Sequence, residues 1–137
     1  MNKRTRIAII GTGFSGLGMA IKLKQAGYND FVILDRRGGA EPPSAALVRA
    51  IADRRRGIGF DQLITIEDES HPQLAAYMGV WNPDGSRSGA CGNATRCVAH
   101  LLMEEAAVDS LTLRTDFGTL AAWRAAGGLI RVNMGAP

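Results

Sequence analysis

The two cysteines of the chain, Cys91 and Cys97, stand six residues apart in "GACGNATRCVAH" at 89–100. Cys91 is followed by Gly92 and Asn93, where apolar spacing predicts that a helix begins. A thiol at a helix N-terminus lies beside a partial positive charge, which favours the thiolate. A glycine there lets a ligand approach the backbone, and the unpaired N–H groups of the first turn can hold a carboxylate. Cys91, Gly92 and Asn93 are therefore placed to act beside a bound anion. Cys97 falls inside the predicted helix among Val98 and Leu101, and is expected to be a small buried hydrophobe. No metal is expected: Cys91, Cys97 and His100 match no zinc spacing, there is no second CxxC, and His71 is the only other histidine. Ser15 and Ser86 have no evident His/Asp partners for a serine nucleophile. Asp61 and Asp84 read as cap and turn residues.

A second set of residues points to different chemistry. "GTGFSG" at 11–16 follows a strand-like run and opens a helix-like one, and Asp35 ends the next apolar run. Gly11, Gly13 and Gly16 would let backbone N–H groups approach a pyrophosphate, with Asp35 on ribose hydroxyls. The plainer reading is that the glycines shape a tight turn.

The elements that must position these residues follow from periodicity. "RIAIIG" and "DFVILD" read as short buried strands flanking a helix over 14–26, with Gly27 as its stop. Ser44 is a candidate N-cap for a helix whose inner face is Leu47, Val48 and Ile51. "QLITIE" and "AAYMGVW" read as strands, the second ending in the turn "NPDG" at 82–85. The helix after Cys91 turns Val98, Leu101 and Leu102 inward. "LTLRT", "TLAAW" and "LIRVNM" then form a meander separated by "DFG" and "AAGG".

Composition narrows the function classes. The chain's 137 residues fit one core, and 46% hydrophobic with 21% charged residues suits a soluble globular protein. A net charge of +3, with one basic run at Arg54, Arg55 and Arg56, does not argue for nucleic acid. No apolar run is long enough to span a membrane, and the basic-then-apolar start is too short for a signal peptide. Two cysteines make no disulfide framework, so a reducing, cytoplasmic setting is expected.

Residues 29–137 resemble the N-terminal half of diaminopimelate epimerase, a cofactor-independent amino-acid isomerase. The likeness is carried by "NDFVILD", "IADRRRGIGFDQL", "WNPDGS", "CGNATRC" and "VNMGAP", in the family's order and spacing. Residues 1–36, with "IIGTGFSGLGMAIKLKQAG", resemble the start of a flavin-dependent Baeyer–Villiger-type monooxygenase. Together they imply a chimera joined near residues 27–29: a Rossmann-like strand–helix segment at 1–28, then an incomplete epimerase domain at 29–137. The fold implied is α+β, a mixed sheet around a central helix with an N-terminal β-α-β segment. The epimerase resemblance implies LL-to-meso interconversion of diaminopimelate in lysine biosynthesis, using two thiols on opposite faces of the α-carbon. Cys91 matches the first thiol, and Asn29, Gln62, Asn82, Gly92 and Asn93 match substrate contacts. The second thiol belongs to the family's other half, so the chain alone is expected to be inactive unless a homodimer restores a cleft. No cofactor is implied by this reading. The alternative is an FAD- or NAD(P)-binding fragment of an oxidoreductase.

Overall fold

The computed structural model describes residues 31–89 and 91–135, together with the backbone of strand Ile7–Ile10 (β1). The glycine loop with Gly11, Gly13 and Gly16, the expected helix over 14–26, Gly27 and Asn29 lie outside the described residues.

"FVILD" and "QLITIE" form Phe31–Asp35 (β2) and Gln62–Glu67 (β3), which pair in parallel. Such runs of consecutive apolar residues suit strands covered on both faces. Ala76–Trp81 (β4) returns antiparallel to β3, and Ser110–Thr115 (β5), Gly118–Arg124 (β6) and Ile130–Asn133 (β7) form the predicted meander. A short 3-10 turn, Ala126–Gly128, makes the last corner. All seven strands join one mixed sheet in sequence order, with β1 beside β2 in parallel at one edge.

Among the described residues two helices cover the sheet. Ala45–Ala52 (α1) starts where Ser44 Oγ accepts the Leu47 N–H at 3.1 Å. It buries Val48 and Ala52 against Val32, Phe60 and Leu63. Leu47, expected on the inner face, is 45% exposed. The buried stripe is the i, i+4 pair Val48 and Ala52, and Leu47 stands about 100° round the helix from Val48.

Gly92–Ala106 (α2) lies on the other face. Cys97, Val98, Leu101 and Leu102 join Phe31, Ile33, Ile64, Ile66, Met78, Val80, Leu113 and Leu120 in one cluster. Ala99 and Met103 pack with Ala122, Ile130 and Val132. A single helix thus shares its core with β2 through β7. The result is a mixed sheet with α2 packed on one face, the coarse arrangement that the sequence implies. No described helix is long and apolar enough to cross a membrane.

One seam interrupts the sheet. β4 and β5 pair through only Ala76↔Leu113 and Tyr77↔Arg114. Beyond Tyr77 the two strands part, and the chain after β4 doubles back along its free edge. Ser88 N–H donates to Val80 O at 2.8 Å, and Arg87 bridges Trp81.

Candidate functional site

Cys91 is the N-cap of α2, half-buried, with extended backbone (φ −132, ψ 105). Its side chain makes no capping bond. Its carbonyl accepts the Thr95 N–H at 2.8 Å and the Thr95 hydroxyl at 2.9 Å, which begins the helix. The N–H groups of Gly92 and Asn93 precede that first bond and have no partner among the described residues. No acidic residue lies in the first turn. Among the described residues a Cβ placed on Gly92 would meet only Met134 Sδ, at 3.9 Å. Packing therefore does not demand glycine here, and its effect is to leave the backbone open. The Asn93 side-chain oxygen accepts from the Arg96 guanidinium.

Gln62 and Asn82 lie at the same end of the sheet as this helix mouth. Gln62 opens β3, half-buried and opposite Phe31, and strand alternation puts it with Ile64 and Ile66 on the α2 face. Asn82 follows β4 and continues the Met78, Val80 row. Because β3 and β4 run antiparallel with Leu63 opposite Trp81, the start of one adjoins the end of the other. The far end of α2 is fixed elsewhere: Glu105 pairs at 2.8 Å with Arg37, just past the end of β2. The mouth of α2 must then face the Gln62–Asn82 end. Asn82 also performs its expected turn role. Its carbonyl accepts the Gly85 N–H at 3.0 Å, and its side-chain amide donates to Ser86 Oγ at 3.0 Å. Gly85 closes the turn with φ 84, a conformation that glycine adopts freely.

Asp35 is not brought to this group. It lies at the opposite end, where Arg37 Nε donates to its carboxylate at 2.9 Å. The hydrogen bond from the Arg37 guanidinium holds this carboxyl below the usual range. Cys97 is 1% exposed, and its thiol is pushed up to about 12, first by burial and then by the neighbouring Cys91. Among the described residues no group of three His, Cys, Asp or Glu could hold a metal.

Sequence reasoning missed a polar stitch on the face of β4 opposite α2, just before the chain reaches Cys91. Arg87, four residues before Cys91, donates to Asp116 Oδ2 at 2.6 Å and to the Tyr77 hydroxyl at 2.6 Å. The Tyr77 hydroxyl also donates to Asp116. Burial, followed by this bond, raises the Tyr77 phenol to about 12, and the bond from Arg87 lowers the Asp116 carboxyl. The Arg87 guanidinium lies 4.1 Å from the centroid of the Trp81 ring. At the tip of the β5–β6 turn, Phe117 is 70% exposed and lies 3.5 Å from where a Gly89 Cβ would stand. The "DFG" tip between two strands was the available signal for Asp116 and Phe117. Nothing in the linear pattern pairs it with Arg87, 29 residues away.

A family model described as diaminopimelate epimerase matches residues 23–137. The chain is 47% identical over 107 residues to a curated diaminopimelate epimerase from Rhodospirillum centenum, covering 78% of this chain and 37% of that one. It is 50% identical over 117 residues to one from Acidiphilium cryptum, covering 85% and 41%. The chain thus spans about two fifths of the length of these relatives. Among solved structures, a PhzC/PhzF-type phenazine biosynthesis protein from Clostridium difficile strain 630 superposes with a TM-score of 0.58 at 11% identity, over 90% of this chain and 48% of that one. That likeness speaks to fold alone, and it agrees with the mixed sheet and the helix packed on it. The expected monooxygenase resemblance of residues 1–36 is not supported; the epimerase family match already includes 23–36.

Proposed function

The chain belongs to the diaminopimelate epimerase family, and we propose that it supplies one thiol, with its carboxylate cradle, to a two-thiol epimerase acting at the α-carbon of diaminopimelate. The observation that carries this reading is the uncapped mouth of α2. A half-buried Cys91 side chain has no bond to make within the helix, and it stands beside open N–H groups and a glycine without a packing reason. In the proposed step the Cys91 thiolate takes the α-proton. The Cα–H bond breaks, an S–H bond forms, and the electron pair moves toward the substrate carboxylate. The N–H groups of Gly92 and Asn93, with the helix dipole, stabilise that growing charge. A second thiol then gives its proton to the opposite face of the α-carbon. No redox or carrier cofactor is needed, because only protons move.

Gln62 and Asn82, from the same end of the sheet, and Asn29, two residues before β2, would bind the ammonium and carboxylate groups of the substrate. Cys97 does not suit the second role. It is buried within the same helix, in the core cluster, and presents no thiol to the opposite face of a substrate at the mouth. The second thiol is therefore proposed to come from beyond these 137 residues or from a second copy. The test is deuterium exchange at the α-carbon of diaminopimelate in heavy water. Exchange lost in Cys91→Ala supports the role of Cys91. Efficient inversion by the 137-residue chain as a monomer would overturn the two-thiol assignment.

For residues 1–22, which the family model does not match, dinucleotide binding is the second reading. Its support is the parallel β1–β2 register that a β-α-β unit requires. Against it, Arg37 already engages the carboxylate of Asp35. Titration with FAD is expected to give weak or no binding, and saturable binding lost in Gly13→Ala would establish the site.

A further inference from the structure

We propose that Arg87 is a positioning residue for Cys91: its guanidinium clamps the chain leading to the thiol between β4 and the tip of the β5–β6 turn, and so fixes one wall of the thiol's mouth. This rests on the reading of Cys91 given above. The segment after the hairpin turn needs such an anchor, because Ser88 and Gly89 are small and follow β4 through a single ladder bond beyond Arg87. Arg87 supplies it in three directions. It stacks on Trp81, bonds the Tyr77 hydroxyl on the same strand face, and bonds Asp116 across the seam where β4 and β5 have parted. Its planar fork suits this arrangement better than an ammonium would.

The floor under Arg87 is shaped for it. A Cβ on Gly79 would come within 2.3 Å of Thr65 Oγ1 and 2.9 Å of Arg87 Nη1, so Gly79 leaves the space in which the guanidinium lies over β4, on the face away from α2. By holding Asp116, Arg87 also holds the turn that sets Phe117 against Gly89, two residues before Cys91. The clamp therefore governs how bulky a molecule can reach the thiol rather than the chemistry of the thiol itself.

The experiment compares two maleimides of equal reactivity and different size, N-ethylmaleimide and fluorescein maleimide, by their labelling rates at Cys91. Arg87→Met, which keeps the apolar stem and removes the fork, is expected to raise the fluorescein-to-ethyl ratio about tenfold, as for loss of charge-assisted bonds from a local closing equilibrium. Arg87→Lys should restore only part of the discrimination. Continued protection of Cys97 shows that the fold persists. If Arg87→Met exposes Cys97, Asp116→Asn carries the test, because it cuts the tie across the seam and leaves the stack. An unchanged ratio in the folded variant overturns the inference alone. Failure of N-ethylmaleimide to label Cys91 in the parent overturns the functional reading and this inference with it.

Discussion

The two ends of α2 break the usual capping preferences in opposite ways. The C-terminal turn carries Glu104 and Glu105 and no basic residue, which is the wrong charge for that end of the dipole. Neighbouring elements repair it: Arg124 pairs with Glu104 at 2.9 Å, and Arg37 pairs with Glu105 at 2.8 Å. Ala107 caps the helix in the left-handed region at φ 53, its N–H donating to Glu104 O at 3.4 Å. The N-terminal turn carries no acid, no side-chain cap and an open glycine, and among the described residues nothing repairs it. A fold that spends two arginines on one end and leaves the other bare has kept the bare end for something else.

The largest effect that would sharpen this contrast is in thiol chemistry. With its thiol near 12, Cys97 carries a thiolate fraction of roughly one in 10⁴ to 10⁵ at pH 7–8. Burial slows it further, so iodoacetamide with peptide mapping should find Cys91 labelled and Cys97 untouched. Preferential labelling of Cys97 would remove the activated-mouth argument. The same shift has a stability consequence. The folded Cys97 holds its proton to about 12, while the unfolded thiol loses its proton near 9.0. Between those values the unfolded chain binds fewer protons, so stability should fall as pH rises above about 9. Denaturant midpoints of the parent and Cys97→Ala, followed across that range, would show it.

Next in size is the repaired end. Arg37→Met should cost about 1–2 kcal/mol, the modest value expected of a partly exposed network, read by urea unfolding. Because Asp35 titrates low in the fold, its share is present above the ordinary carboxyl range and lost as pH falls through it. The parent–variant difference should therefore shrink on acidification; a constant difference would mean that Asp35 is not the partner that matters.

Ala107→Gly probes the strain at the same end. A left-handed alanine costs about 1 kcal/mol relative to glycine, so the variant should melt higher, and a lower melting temperature would contradict the φ assigned here. The smallest effect discriminates best. Gly92→Ala, with only a 3.9 Å contact awaiting its Cβ, should raise stability by about 0.5 kcal/mol through helix propensity. It should at the same time weaken carboxylate binding at the mouth, measured by protection of Cys91 from alkylation. Loss of stability in this variant would return Gly92 to a purely structural role.

Much of this was legible in the residues. The strands, the Ser44 cap, the turn at Asn82, the buried face of α2 and the inert Cys97 all follow from short-range patterns that the packing reinforces. What escaped was long-range. The engagement of Asp35 depends on the turn that brings Arg37 back onto it and on Glu105, 68 residues from that arginine. The Arg87–Asp116 tie exists only because β4 and β5 diverge, and divergence leaves no mark in either strand's alternation. Leu47 shows the limit of periodicity in short helices: with eight residues, neighbouring apolar stripes are equally plausible until a partner surface chooses one.

The seam between β4 and β5 also bears on how the chain reaches this state. On one side, β5, β6 and β7 pair with their immediate sequence neighbours, so their loops close cheaply. On the other, the β3–β4 hairpin joins β2 through a longer connection. Two paired residues contribute little cooperativity between these assemblies, and the parallel pair at the seam needs a crossover connection, which here carries the 15-residue helix. The helix that begins at Cys91 is therefore also the joint between these assemblies: it buries side chains from both in one core, where the strands themselves share only two paired residues.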